Sequence, residues 1–125
     1  MSHFTSIKTQ IKDIEALRSA VKEMDLELIA NTDARGFYQN KIKGDFVIRL
    51  KGPFDIAVNK QPDDTYGLTT DWWEGHVEKE VGKGFGKLLQ LYGVYKATLE
   101  AKKKGLSILR KFQPNGSIKL ILASV

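Results

Sequence analysis

Val81-Gly82-Lys83-Gly84-Phe85-Gly86-Lys87 is the stretch whose residue types come nearest to a chemical motif. Glycines let backbone N–H groups approach a phosphate, and a helix beginning just after them would favour an anion at its N-terminus. The spacing fits neither familiar cradle. A Walker loop sets its glycines further apart and follows its lysine with Ser or Thr, where this chain has Leu88. The dinucleotide fingerprint Gly-x-Gly-x-x-Gly wants its third glycine one residue later. Two readings stand: a flexible lead into the helix, or an anion site built on Gly82, Lys83, Gly84, Gly86 and Lys87.

Other chemistry has fewer residues to work with. The chain contains no cysteine, which removes thiolate nucleophiles, disulfides and Cys-based zinc or Fe–S sites. Its two histidines, His3 and His76, sit in unrelated segments, so a two-His-one-carboxylate site with Glu74 or Glu78 would need the fold to gather them. No Gly-x-Ser-x-Gly elbow occurs, and Asp63 and Asp64 are adjacent in a turn-like stretch after Pro62. No catalytic residue, metal or cofactor is expected.

Recognition has better candidates. Residues 1–75 carry ten Lys/Arg against twelve Asp/Glu, whereas residues 76–125 carry ten against three, which concentrates the net charge of +5 in the second part. A basic surface attracts phosphate or an acidic protein face, although Lys102-Lys103-Lys104 also suits a helix C-terminus. Trp72-Trp73 should split, with Trp72 inward and Trp73 exposed as an anchor for a partner. The outward-facing strand residues Val47, Arg49, Lys51, Leu109, Lys111, Lys119 and Ile121 include no aromatic, and RNA-reading sheets need aromatics for base stacking. The expectation is therefore a protein partner docked on the outer sheet face at Leu109, Lys111, Lys119 and Ile121, with Trp73 as a further anchor. Nucleic-acid binding by the basic half is the alternative. An unpaired sheet edge would also allow an oligomer.

The positioning elements follow from periodicity. Thr5, Ile7, Thr9 and Ile11 alternate with polar residues as a half-buried strand does. Asp13 suits an N-cap, and Ile14, Leu17, Val21 and Met24 follow at helical spacing. Leu26 to Ala30 returns to alternation, and Asn31 to Gly36 reads as a loop or a weak strand end. Strands are expected at Phe46–Leu50, Phe54–Val58 and Tyr66–Trp72, then a long helix from Phe85 to Lys104 ended by Gly105.

For the closing hairpin, a two-residue turn at Asn115-Gly116 would mix Lys111 and Gln113 among Ile118, Leu120 and Leu122. A three-residue loop instead puts Leu106, Ile108 and Phe112 with those three, so the three-residue register is expected. The order strand–helix–four strands–helix–hairpin predicts one α+β domain over residues 1–125. Its architecture would be a two-layer sandwich, a mainly antiparallel sheet with both helices on one face and the reverse left open.

The opening Ser2-His3-Phe4-Thr5-Ser6-Ile7-Lys8-Thr9, with the aromatic-to-helix passage and the closing hairpin, resembles the hypothetical chloroplast reading frame 35 family, a domain of unknown function. The resemblance covers most of the chain and departs chiefly at Gly82, Gly84 and Gly86. It implies a fold and a lineage (plastids, cyanobacteria or their phages) and supplies no catalytic residues. An apolar content of 42% with 28% charged residues is ordinary for a soluble protein. No apolar run approaches the roughly 20 residues of a membrane helix, and no signal-peptide core opens the chain. A cytoplasmic or stromal location without membrane contact is the matching expectation.

Overall fold

Asp13 accepts a hydrogen bond from the Ala16 N–H at 3.1 Å, and the helix α1 (Ile14–Glu23) starts there, as the capping pattern predicts. The computed structural model describes residues 3–124, so Ser2 of the opening phrase lies outside them. Strand β1 (Phe4–Lys8) precedes this helix, and β2 (Glu27–Arg35), β3 (Lys41–Arg49), β4 (Ile56–Lys60) and β5 (Tyr66–Asp71) follow it. A short helix α2 (Glu78–Val81) and a long helix α3 (Gly86–Lys103) lead to β6 (Leu106–Phe112) and β7 (Ile118–Ser124).

The first five strands form one antiparallel sheet in the order β1-β5-β4-β3-β2. One face carries Ile7, Phe46, Ile48, Ile56, Val58 and Leu68 against Leu17 and Val21 of α1 and Leu88 and Tyr92 of α3. Both helices therefore cover the same side, and the fold is α+β as the element order predicts. Each fully buried Leu, Ile or Val in this layer contributes about 1.5–3 kcal/mol relative to exposure. The Tyr92 hydroxyl accepts from the N–H groups of Lys12 and Asp13 at 3.1 and 3.2 Å, fixing the start of α1 to α3. Trp72 turns inward, its ring centroid 4.7 Å from that of buried Phe85.

The reverse of the sheet departs from expectation. It is covered, because the β2–β3 hairpin is longer than periodicity suggests and its outer half folds back across the sheet. The bend falls where Asn31 takes φ 49° and Gly44 faces Thr32; a Cβ on Gly44 would lie 2.3 Å from the Phe46 carbonyl oxygen. Beyond it, Ala34 is buried against Val47 and Ala57, with Ile42 packed on the same cluster. At the tip, Gly36 meets β1 so closely that a Cβ would sit 2.5 Å from the Phe4 ring, and the Phe37 N–H donates to the Asp71 carboxylate at 3.1 Å.

A buried ion pair anchors this arm. Asp55 is fully buried and accepts from Arg35 Nε and Nη2, both at 2.8 Å, from the Arg35 N–H at 2.9 Å and from the Leu50 N–H at 3.1 Å. Arg35 Nη2 also donates to the Leu50 and Gly52 carbonyls, and the Asp55 side-chain bonds hold the Arg35 guanidinium above its ordinary pKa despite burial. Arg49 faces the same carboxylate at 3.8 Å instead of presenting its charge outward. The expected open sheet surface with Arg49 on it is thus replaced by a sealed one.

The second correction concerns β6 and β7. They pair only with each other among the described residues, as a separate two-stranded sheet. Their register is the three-residue one: Phe112 faces Ile118, Arg110 faces Leu120, and Ile108 faces Leu122. Gly116, at φ 87°, completes the turn, and Gln113 donates to the Ser117 carbonyl at 2.9 Å. The inner face leans on α3 through Ile118, but Phe112 and Leu122, expected inside, remain 69% and 60% exposed.

Candidate docking surface

Turn chemistry decides which hairpin residues share a face. With a three-residue loop, Leu109 stands opposite Ile121 and Lys111 opposite Lys119, all four on the side turned away from α3. Four of the five partner-binding residues expected from sequence are thus brought together as two adjacent cross-strand pairs. Leu109 is 64% exposed and Ile121 is also open. Both lysines are exposed, and no ion pair among the described residues holds either one. Like charges directly opposite on a sheet repel, so this pair is more stable with an anionic group between the two ammonium heads.

Two polar contacts hold the hairpin to the helices: Gln90 Nε2 of α3 donates to the Gly116 carbonyl at 3.2 Å, and a charged clasp forms further along β6. Arg110, on the inner face, donates from Nη1 to both oxygens of Glu23 at the end of α1, at 2.8 and 3.0 Å. The Tyr95 hydroxyl of α3 donates to the same carboxylate at 2.6 Å, and the Arg110 guanidinium lies 5.0 Å from the Tyr95 ring centroid. The Tyr95 hydrogen bond, against the opposing effect of burial and aided by Arg110, keeps the Glu23 carboxyl below its ordinary pKa. Arg110 is the one charge on the hairpin's otherwise apolar face; Glu23 lies 87 residues away and carries no local signal.

Trp73 belongs elsewhere. Its ring packs 4.4 Å from Phe37, with Phe54 and His76 around it, at the tip of the folded-back arm. It is 39% exposed, as alternation predicts for the second indole, but its neighbours are those of the main sheet and not of the hairpin. Tyr38 and Gln39 beside it hold left-handed backbone, at φ 54° and 64°. His76 stands edge-on to Phe54, at 5.3 Å between centroids. Among the described residues no three His, Cys, Asp or Glu side chains gather as a metal site would require.

The Gly82–Lys87 segment is a pair of tight turns. Gly82 and Gly84 take φ 86° and 59°, and Phe85 follows at 66° with its side chain fully buried. The Phe85 ring plugs the core under Trp72, which gives the segment a packing role. Lys83 and Lys87 are exposed. α3 starts at Gly86 with no side-chain cap. Glu80 just upstream accepts from the N–H groups of Lys51 and Gly52, at 2.8 and 3.0 Å, tying α2 to the end of the β3 strand.

What the hairpin surface offers is aliphatic contact beside two ammonium groups. Two helices over a five-stranded antiparallel sheet, with an appended hairpin, define the structural class, and residues 20–121 place the chain in the family described as "Protein of unknown function (DUF1257)". It is similar in particular to "Uncharacterized protein ycf35" of Pyropia yezoensis, 33% identical over 126 residues spanning 98% of this chain and 96% of that protein. No solved structure matches. No helix among the described residues is long and apolar enough to cross a membrane.

Proposed function

We propose that this protein is a non-enzymatic binding module that acts through a protein partner, in the stroma or cytoplasm of a photosynthetic lineage or in its phage. The docking face is the outer side of the β6–β7 hairpin. The observation that carries this reading is the exposed Leu109–Ile121 pair set directly beside the unpaired Lys111–Lys119 pair. A two-stranded sheet is marginal alone in water, and large apolar residues grouped on it mark an interaction site. The fitting partner segment presents an aliphatic or aromatic side chain next to a carboxylate. Trp73 lies outside this face and is not part of it.

Burying Leu109 under such a segment contributes about 2 kcal/mol, or roughly 30-fold in affinity. The test places a photo-crosslinking residue at position 109 and, separately, at exposed Lys43 on the folded-back arm, in an extract from a related organism. The expected result is one discrete adduct from position 109, lost on Lys111→Glu/Lys119→Glu, whose cross-linked segment is acidic. Identical adducts from both positions would contradict the reading. The excess of lysines in residues 76–125 favours nucleic acid as the second reading. That reading requires heparin retention and an affinity falling steeply with salt.

A further inference from the structure

The free edge of β7 is built to take a second strand. Gln113 and Ser117 form a hydrogen-bonded pair at the turn, and hydrogen-bonded and non-bonded pairs then alternate along an antiparallel ladder. Lys111–Lys119 and Leu109–Ile121 therefore exchange their hydrogen bonds, whereas Ile118, Leu120, Leu122 and Ser124 point their N–H and C=O groups away from β6. Among the described residues no strand pairs with that edge. Native edges are normally blunted by charge, proline or a bulge, but β7 (Ile-Lys-Leu-Ile-Leu-Ala-Ser) has one lysine, near the turn, and then five uncharged residues.

We propose that β7 pairs antiparallel with β7 of a second copy of this chain, about a twofold axis at Ile121. Only this register overlaps all seven residues of the strand with themselves. It also matches the free groups, since Ile118 would face Ser124 and Leu120 would face Leu122, each residue carrying an outward N–H and C=O. Its charges agree too: Lys119 lies opposite Ala123 of the other copy. A register two residues nearer the turn at each copy would set Lys119 against Lys119, which repels.

The result is a four-stranded sheet, with Leu122 of each copy covered at the inner face, where Leu120, Leu106 and Ala101 line an apolar groove against α3. Side chains directly opposite share a face, so both copies' Leu109 and Lys111 stay on one continuous outer surface. The dimer thus stands without the partner proposed above and would present two docking patches side by side.

Sedimentation equilibrium from micromolar to millimolar protein tests it, with circular dichroism to confirm folding. The native chain should approach twice its 14.1 kDa mass. Leu122→Pro removes an outward N–H while leaving the β6–β7 ladder intact, a change edge strands accept, and should give a folded monomer. Ala123→Lys should also give a monomer, by opposing Lys119 of the other copy, and Lys119→Glu/Ala123→Lys should restore the dimer. If Leu122→Pro fails to fold, the lysine pair decides. A native chain that stays monomeric at millimolar concentration overturns the proposal. So does a dimer indifferent to Ala123→Lys, or a double variant that remains monomeric. Crosslinking at position 109 reports on the partner separately.

Discussion

Arg110 Nη1 bonds both carboxylate oxygens of Glu23 at 2.8 and 3.0 Å, and this pair is the charged link between the hairpin and the helical layer, beside a single neutral bond from Gln90 Nε2 to the Gly116 carbonyl at 3.2 Å. Removing it should loosen the hairpin without melting the main sheet. Arg110→Ala is expected to raise amide exchange across residues 106–124 at least severalfold while β3, β4 and β5 keep their protection. Uniform loss of protection throughout the chain would show that the hairpin and the sheet unfold as one unit.

Acid should reproduce that loosening. The Glu23 carboxyl is held below its ordinary value of 4.5, chiefly by the Tyr95 hydroxyl. A depressed folded-state pKa means the clasp contributes fully above the unfolded value and is lost as pH falls through the folded one. Hairpin opening, read as exchange relative to the intrinsic amide rate at each pH, should therefore be flat from neutrality down to the ordinary glutamate range and increase below it. Glu23→Gln should remove the pH dependence. A rise beginning near neutral pH would point to a different group.

Asp55→Ala tests the folded-back arm. It strips four hydrogen bonds from Arg35 and Leu50 and leaves the guanidinium without its partner. Losing one side of a buried pair costs about 3–5 kcal/mol, and the low end applies here because Arg35 is partly solvated. Urea unfolding should show a loss near 3 kcal/mol, where a surface pair would show about 0–1 kcal/mol.

Gln39→Gly probes the strained tip. Gln39 holds φ 64°, directly after Tyr38 at φ 54°. Left-handed backbone costs a residue with a Cβ roughly 1 kcal/mol more than glycine. The substitution should stabilise the chain by about that amount, and an unchanged or lower denaturation midpoint would mean that the Gln39 side chain contributes to the arm.

Local rules made much of this molecule legible. Asp13, the α1 stripe, the span of α3 and the inward Trp72 all follow from capping and periodicity. The three-residue loop follows from keeping apolar residues on one face, and that register alone brings Leu109, Lys111, Lys119 and Ile121 together. Contacts made far along the chain were not legible. Asn31 to Arg35 is polar and reads as a loop or a weak strand end; it is a full continuation of β2, because Asp55, 20 residues beyond Arg35, satisfies its charge and backbone. Alternation shows which side a strand residue faces but not which sheet the strand joins, and so the hairpin's separation from the main sheet was hidden. Glu23 and Tyr95 gave no sign of converging on Arg110 for the same reason.

Binding measured with Leu109→Asp tests the central claim most directly, once the crosslinked partner is in hand. Titration of that partner against the native chain and the variant should show at least about 30-fold weaker affinity, from the lost burial of one leucine, with an unchanged melting temperature. Equal affinity for the two chains would place the interface away from the hairpin's outer face and contradict the account.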